Sequence, residues 1–251
     1  MIHSVFRYPV KGLSPEPLER VVVTPGETLP MDRAFALALG DTTFDPRQPE
    51  YLHKTKFAML ARNEKLAALR TRYDDASGTL HVAHGGRKVL AVDLKTPEGA
   101  ARLEDYLTDY LGKQARGRLK LVHAPGHSFS DVAMKCISII NLASVRALEA
   151  EIGTAIDPLR FRANFYIEKL DPWREFDWLG QTIRLGSAQA VVEKRIERCA
   201  ATNVNPATAQ RDLNILRSLH KSFGHTELGV YARITMGGEI APGDRILPQK
   251  A

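Results

Sequence analysis

Cysteine and aromatic residues are scarce in this chain of 251 residues. Its two cysteines, Cys136 and Cys199, are too few for a disulfide scaffold, and we expect a reducing compartment, the cytoplasm. They are also too few for an internal iron–sulfur cluster or a four-cysteine zinc site. Aromatic residues make up 7% of the chain, which leaves no obvious surface for stacking nucleobases. The scarcity directs attention to single thiols rather than to cysteine clusters.

Long apolar runs are missing as well. No stretch approaches the roughly 20 apolar residues that span a bilayer, and residues 1–7 lack the basic and then apolar layout of a secretory signal. The hydrophobic content of 44% and the charged content of 25% are ordinary for a globular protein. We therefore expect no membrane partner.

The chain also lacks a concentrated basic region. Its 35 basic and 29 acidic residues give a net charge of +6, but the basic residues are scattered singly and in pairs. This excess favours an anionic small-molecule ligand. A nucleic-acid-binding module is the alternative from another functional class, and the lack of a recognisable binding motif disfavours it. The basic segment at residues 51–57, which has aromatic ends, is interpreted either as a phosphate contact or as a solvated edge.

Apolar patterns between turn residues dominate the chain and predict many strands. They lie at residues 4–8, 18–23, 31–39, 67–73, 79–83, 89–94, 117–122, 136–140, 161–167, 180–186, 188–196 and 228–234, with a closing hairpin at 240–246. Helical spacing with capping residues and glycine stops predicts helices at 96–111, 141–153 and 212–223. We therefore predict a mainly β fold with a few helices (α+β) and a domain boundary near residue 120, which gives units at 1–120 and 121–251.

Four polar side chains are candidate contacts for an anion. Lys11 lies in a loop beside a glycine, and Arg33 lies at the start of a predicted strand. Arg162 and Asn164 are expected on one face of the strand at residues 161–167, where a guanidinium fork and an amide suit an anion. The alternatives are a solvated turn, a surface charge and the wet side of a sheet, and these stay open.

Cys199 follows an apparent strand at the start of a turn, directly after Arg198. The neighbouring guanidinium favours the thiolate form. If the chain stays extended, Cys199 lies on the same face of the strand as the charged residues at positions 193, 195 and 197, and that face is polar. A metal ligand, a nucleophile and simple packing remain open, because free cysteine is usually buried. Cys136 begins a predicted buried strand and is interpreted as a core residue.

Six short motifs occur in order along both halves of the chain. They are residues 8–12 (Tyr-Pro-Val-Lys-Gly), 31–33 (Met-Asp-Arg), 161–164 (Phe-Arg-Ala-Asn), 197–202 (Glu-Arg-Cys-Ala-Ala-Thr), 228–231 (Leu-Gly-Val-Tyr) and 237–244 (Gly-Gly-Glu-Ile-Ala-Pro-Gly-Asp). In this order and spacing the motifs resemble the MOSC family, named after the C-terminal domain of molybdenum cofactor sulfurase. The first two resemble its N-terminal β-barrel domain and the other four resemble the MOSC domain itself.

The resemblance implies a β-barrel MOSC domain packed against an N-terminal β-barrel-like domain, with the molybdenum cofactor (molybdopterin) held between them. It implies that Cys199 is both the catalytic residue and the single protein ligand of the metal. A dithiolene brings two sulfurs of its own, so one soft thiolate is enough. The residues implied to bind the rest of the cofactor are Lys11, Arg33, Asn141, Arg162, Asn164, Arg198 and Thr202.

The activity implied by the amidoxime-reducing relatives is reduction of N-hydroxylated or N-oxygenated small molecules. Electrons would come from a separate ferredoxin- or cytochrome-type donor protein, because the chain lacks cysteines for an iron–sulfur domain. The alternative is a sulfur or cofactor carrier that receives sulfur from a donor and holds it as a persulfide on Cys199. Residues 204–206 (Val-Asn-Pro) depart from the reducing relatives, which usually carry aspartate before the proline, so the substrate class stays open.

Overall fold

The computed structural model describes residues 1–249, which form fifteen strands and three α-helices. The strands are β1 (Ile2–Arg7), β2 (Glu16–Leu18), β3 (Val21–Val23), β4 (Phe35–Ala38), β5 (Leu69–Asp74), β6 (Thr79–His84), β7 (Arg87–Asp93), β8 (Lys120–His123), β9 (Ile137–Asn141), β10 (Phe165–Ile167), β11 (Thr182–Leu185), β12 (Ala188–Glu197), β13 (Glu227–Met236), β14 (Gly238–Ile240) and β15 (Ile246–Pro248). The helices are α1 (Pro97–Leu111), α2 (Leu142–Ile152) and α3 (Ile215–Phe223). The predicted fold class, mainly β with a few helices, is confirmed.

A curled eight-stranded sheet dominates the fold, in the order β15-β11-β12-β13-β9-β10-β1-β2. Neighbouring strands are antiparallel except for β9 and β10. Strands β1 and β2 come from the start of the chain and extend the sheet built by later residues, with Val5 opposite Phe165. The two halves of the chain therefore share one sheet, which fixes the loops of the first half against the strands of the second.

The remainder of the first half forms a three-stranded sheet, β5-β6-β7, and a two-stranded sheet, β4-β8. The hydroxyl of Thr96 accepts a hydrogen bond from the N–H of Gly99 and caps α1, while Pro97 occupies its first turn. Leu103 and Leu107 recur on the buried face of α1 and pack into the core of this half. The helix thus forms where capping and apolar spacing predict it.

The eight-stranded sheet separates two further cores because consecutive side chains of a strand point to opposite faces. Ile139 belongs to the core lined by β11, β12 and β13, whereas Ile140 belongs to a core that also contains Leu148 of α2 and Leu219 of α3. Helices α2 and α3 therefore cover one face of the sheet. Within residues 1–249, no helix combines the length and the apolar character that crossing a membrane requires.

The predicted strand at residues 161–167 is wrong in its first half. Residues Pro158–Phe161 form a 3-10 helix, and Arg162 ends it in the left-handed conformation with a φ of 52°. A left-handed residue breaks the alternation of a strand, so β10 begins only at Phe165. Arg162 and Asn164 are therefore not placed by a shared strand face.

The predicted closing hairpin at residues 240–246 is also wrong. Strand β14 pairs with β3 from the first half, and β15 pairs with β11. The turn between β14 and β15 sends the chain from one sheet to another instead of folding it back on itself. Local turn residues predict the turn but not the partner of each strand.

Candidate functional site

A cavity of about 680 Å³ lies between segments from both halves of the chain. Its lining includes eight cationic and five carboxylate side chains, so the ionisable side chains carry a net positive charge. The volume is in the range of pockets that hold small-molecule ligands. Of the residues implied by the MOSC resemblance, the cavity brings together Lys11, Arg33, Arg162, Asn164, Arg198, Cys199 and Thr202.

Cys199 lies two residues after the end of β12, at the start of the 3-10 helix Ala200–Asn203. The hydroxyl of Thr202 donates to the carbonyl oxygen of Cys199 at 2.9 Å, and the N–H of Thr202 donates to the same oxygen at 3.0 Å. Cys199 is partly exposed and lines the cavity. Thr202 is buried and uses its hydroxyl to shape this turn, so it supports the thiol rather than offering a free donor to a ligand.

Lys54, from the first half of the chain, lines the cavity with Cys199, and the two side chains are close enough to interact electrostatically. Burial acts to lower the pKa of Lys54, but the facing Cys199 and Asp131 outweigh burial and raise the pKa. The basic segment at residues 51–57 therefore contributes one of its lysines to the cavity. Its sequence suggested a phosphate contact or a solvated edge, and neither interpretation identified a contact with the thiol.

Asp131 provides a carboxylate that bridges two lysines of the cavity. It forms an ion pair with the buried ammonium of Lys11 and lies 4.0 Å from Lys54. Lys11 also donates to the carbonyl oxygen of Phe129 at 2.8 Å. Burial acts to raise the pKa of Asp131, but Lys11 and Lys54 outweigh it and lower the pKa to about 2. An anionic ligand that contacts Lys11 would therefore compete with an internal carboxylate.

Replacing Asp131 by asparagine is expected to lower the free energy of unfolding by about 1 kcal/mol at about pH 7, because the Lys11 ammonium loses its counter-charge. The side chain of Asp131 is 44% exposed, so solvent screens part of the attraction. Its pKa is depressed below the ordinary 3.8, so this stability is present above that value and is lost as the pH falls toward about 2. Urea titrations of both proteins over this pH range measure the difference.

The exposed Asp41 provides the matched control, because it makes no ion pair within the part of the chain that the structure describes. Asp41→Asn is expected to leave the free energy of unfolding unchanged at every pH. A difference between wild type and Asp131→Asn that grew on acidification would contradict the role assigned to the ion pair.

Arg33 and Arg162 form a pair of guanidinium groups over one tyrosine ring. Their guanidinium carbons lie 4.7 Å and 4.4 Å from the ring centre of Tyr8, which favours both cations. Arg33 also forms an ion pair with Asp32 and donates to the carbonyl oxygen of Arg162 at 3.0 Å. Burial acts to lower the pKa of Arg33, but Asp32 outweighs it and raises the pKa.

Arg162 differs from its neighbour in having free donors. Within residues 1–249, its guanidinium makes no hydrogen bond and no ion pair. Burial lowers its pKa, yet a guanidinium stays charged at neutral pH. A partly exposed cation with unused N–H groups at a cavity wall is suited to bind an anion.

Two of the implied binding residues already use the polar groups of their side chains in hydrogen bonds within the protein. The Asn164 oxygen accepts from the N–H and hydroxyl of Ser138, and its amide nitrogen donates to the carbonyl oxygen of Phe6 at 3.2 Å. Arg198 donates to the carbonyl oxygens of Leu228 and Phe161. Both line the cavity, but they hold its wall together.

Asn141 is not among the residues that line the cavity, so the structure lends no support to its predicted contact with the cofactor. Its side-chain oxygen caps α2 by accepting from the N–H of Ala143 at 3.0 Å. Its amide nitrogen donates to the carbonyl oxygen of Asp171 and to the buried carboxylate of Glu175. The helix cap that the sequence indicates is real, and it uses the groups that a ligand would need.

Cys136 lines the same cavity but is chemically different from Cys199. It is buried, and desolvation raises the pKa of its thiol to about 12. The thiol is therefore protonated at neutral pH, a form unsuited to binding a metal. Within residues 1–249, no group of three or more His, Cys, Asp and Glu side chains is arranged to hold a metal ion.

Family models match both halves of the chain. Residues 1–118 match the MOSC N-terminal beta barrel domain, and residues 123–247 match the MOSC domain. The chain belongs to the MOSC family. As a MOSC protein, it carries both family domains in the order that its motifs predict, and the resemblance stated from those motifs is confirmed.

Among curated proteins, this MOSC protein is similar to molybdenum cofactor sulfurase of Anopheles gambiae, with 32% identity over 122 residues. The match covers 44% of this chain and 15% of the mosquito protein. Among solved structures, the chain is similar to YuaD of Bacillus subtilis, with 10% sequence identity and a TM-score of 0.46. The alignment covers 98% of this chain and 92% of YuaD. The chain is also similar to YiiM of Geobacillus stearothermophilus, with 18% sequence identity and a TM-score of 0.37. That alignment covers 45% of this chain and 54% of YiiM.

Proposed function

We propose that this MOSC protein binds the molybdenum cofactor in the cavity, with Cys199 as the protein ligand of the metal, and reduces N-oxygenated small molecules. The observation that carries the proposal is the partly exposed thiol of Cys199 in a cavity whose charged side chains are eight cations and five carboxylates. The similarity to a molybdenum cofactor sulfurase supports the choice of cofactor.

The residues of the cavity fit such a group at both of its ends. A pterin phosphate needs cationic donors, and Arg162 has donors that no residue of the described chain uses. Arg33 adds a second guanidinium, and Lys11 adds an ammonium that is shared with Asp131. Charges from both halves would hold the anionic end.

At the other end, Cys199 offers a sulfur ligand with the ammonium of Lys54 beside it. A soft sulfur ligand suits molybdenum. When bound, the cofactor supplies a metal centre that exchanges two electrons with the substrate. Removing oxygen from an N-hydroxyl group consumes two electrons and two protons and releases water, so a separate ferredoxin- or cytochrome-type protein would have to deliver the electrons.

A sulfur or cofactor carrier is the second candidate function, and the same thiol favours it. A persulfide on Cys199 would be anionic, and Lys54 would stabilise it. The two functions differ in chemistry, because a carrier holds one labile sulfur on the cysteine and reduces no N-hydroxyl compound.

The deciding experiment is metal and pterin analysis of the full chain purified from a host that makes the molybdenum cofactor. We expect close to one molybdenum and one pterin per chain, together with reduction of benzamidoxime by a reduced dye. Cyanide-labile sulfur without dye-linked reduction would favour the carrier. Absence of molybdenum and of pterin from the wild-type protein would overturn the cofactor assignment.

A further inference from the structure

Arg211 connects the residue after Cys199 to the first half of the chain. Its Nη1 donates to the carbonyl oxygen of Ala200 at 3.2 Å. Its Nη2 donates to the carbonyl oxygens of Leu60 at 3.2 Å and Ala61 at 2.9 Å, and pairs with Glu64 at 3.0 Å. One guanidinium therefore holds main-chain atoms of both halves together.

These main-chain contacts lie at the cavity. Leu60 and Ala61 line it from the first half, and Cys199 and Ala201 line it from the second. The planar guanidinium reaches both sides at once, which the compact ammonium of lysine does not do. The reach of the Arg211 side chain thus helps to set the distance between the Cys199 thiol and the wall formed by residues 60–61.

The backbone of Arg211 is itself fixed. It pairs with Val204 in an antiparallel bridge that closes the loop at residues 204–211, and the N–H of Asn205 donates to the carbonyl oxygen of Gln210 at 2.7 Å. The next residue, Asp212, accepts two hydrogen bonds from the buried guanidinium of Arg160 at 2.7 Å and 2.8 Å. Because the backbone of Arg211 is held in this way, its guanidinium links the two walls at a defined separation.

We propose that Arg211 is a positioning residue that sets the distance between Cys199 and the wall at residues 60–61, and thereby the size of the group that reaches the thiol. The inference rests on the proposed function only in taking Cys199 as the reactive thiol. A stacked pterin or a bound substrate is large, so the width of the cavity at this point determines which molecules can approach the sulfur.

The test compares the rates at which a small and a bulky reagent modify Cys199 in the full chain, purified from a host that cannot make the cofactor. The reagents are iodoacetamide and fluorescein maleimide, and peptide mass spectrometry separates Cys199 from Cys136. In Arg211→Ala we expect the maleimide rate at Cys199 to rise about tenfold while the iodoacetamide rate stays within about twofold, because the loss of charge-assisted hydrogen bonds opens the wall locally.

Arg118→Ala is the matched control, since Arg118 pairs with Asp105 at 2.9 Å on the surface and, within residues 1–249, forms no hydrogen bond or ion pair with the cysteine turn at residues 199–203. It should leave both rates unchanged. An equal rise for both reagents in Arg211→Ala would indicate general loosening of the fold and overturn the proposal. Unchanged rates with both reagents would overturn it as well.

A second variant keeps the test decisive if Arg211→Ala does not fold. Arg211→Lys retains the charge facing Glu64 but cannot span the carbonyl oxygens of both halves, so we expect a smaller, size-selective rise. Wild-type rates in this variant would contradict the role of the guanidinium. The modification experiment uses protein without cofactor, so a negative result would not affect the proposed function. Conversely, absence of molybdenum from the wild-type protein would not affect the role proposed for Arg211.

Discussion

The Cys199→Ala variant is expected to retain less than about one tenth of the molybdenum that the wild-type protein carries after expression in a cofactor-producing host. Alanine removes the sulfur that the cavity presents beside Lys54, while the cations that would hold the pterin phosphate stay in place. Metal analysis of the purified proteins measures the loss. Pterin content, measured in parallel, should fall less than the metal content if the anionic end is bound independently.

The second cysteine provides the control. Cys136 lines the same cavity, but burial raises its pKa to about 12, so it should not serve as a metal ligand. Cys136→Ala is therefore expected to keep its molybdenum, with at most a small loss of stability from the missing sulfur. Equal metal content in wild type and Cys199→Ala would rule out Cys199 as the ligand, and a loss confined to Cys136→Ala would assign that role to the other thiol.

Gly229→Ala is expected to lower the free energy of unfolding by about 3 kcal/mol or more. Gly229 has a φ of +82°, and a Cβ atom there would lie 2.4 Å from the carbonyl oxygen of Ile139 on the neighbouring strand. It would also lie 3.3 Å from a guanidinium nitrogen of Arg198, which holds the start of β13 against the cysteine turn. Urea denaturation of the purified variant gives the loss directly.

Gly26→Ala separates the two causes of this loss. Gly26 has a similar φ of +72°, but a Cβ atom added there meets nothing within 4 Å. Its replacement should cost about 1 kcal/mol, from backbone strain alone. If both variants lost the same amount, the close approach of β9 to Gly229 would have no energetic consequence, and the explanation for a glycine in this motif would be wrong.

Cys199 illustrates what local sequence can indicate about a site. A thiol after a strand, next to an arginine and within a family motif, makes Cys199 a candidate site residue but does not predict its surroundings. The charge of the adjacent Arg198 interacts with the thiol as its position in the sequence predicts, while its N–H donors are taken by the carbonyl oxygens of Leu228 and Phe161. Lys54, which is far from Cys199 in sequence, also interacts electrostatically with it. Sequence adjacency therefore indicates one of the cations that act on the thiol and misses the other.

No sequence pattern marks Asp131 or Arg211 as a residue of the candidate site. Asp131 lies in a loop with no pattern of its own, and its importance comes from Lys11 and Lys54, both distant along the chain. Arg211 matters because the fold brings Leu60 and Ala61 within reach of its guanidinium. Such partners become neighbours only when strands from both halves join one sheet.

The sequence by itself determined the fold class, the three helices and the family, and it pointed to Cys199 as the candidate thiol. These follow from local periodicity, from capping residues such as Thr96 and Asn141, and from short motifs that keep their order. Only the tertiary structure decided which strands pair, that the Asn141 side chain caps α2, that Lys54 and Asp131 line the cavity with Cys199, and that Arg211 donates to the residue after the cysteine. The physical reason is that capping and alternation act over a few residues, whereas the cavity depends on packing between segments that the chain separates by more than a hundred residues.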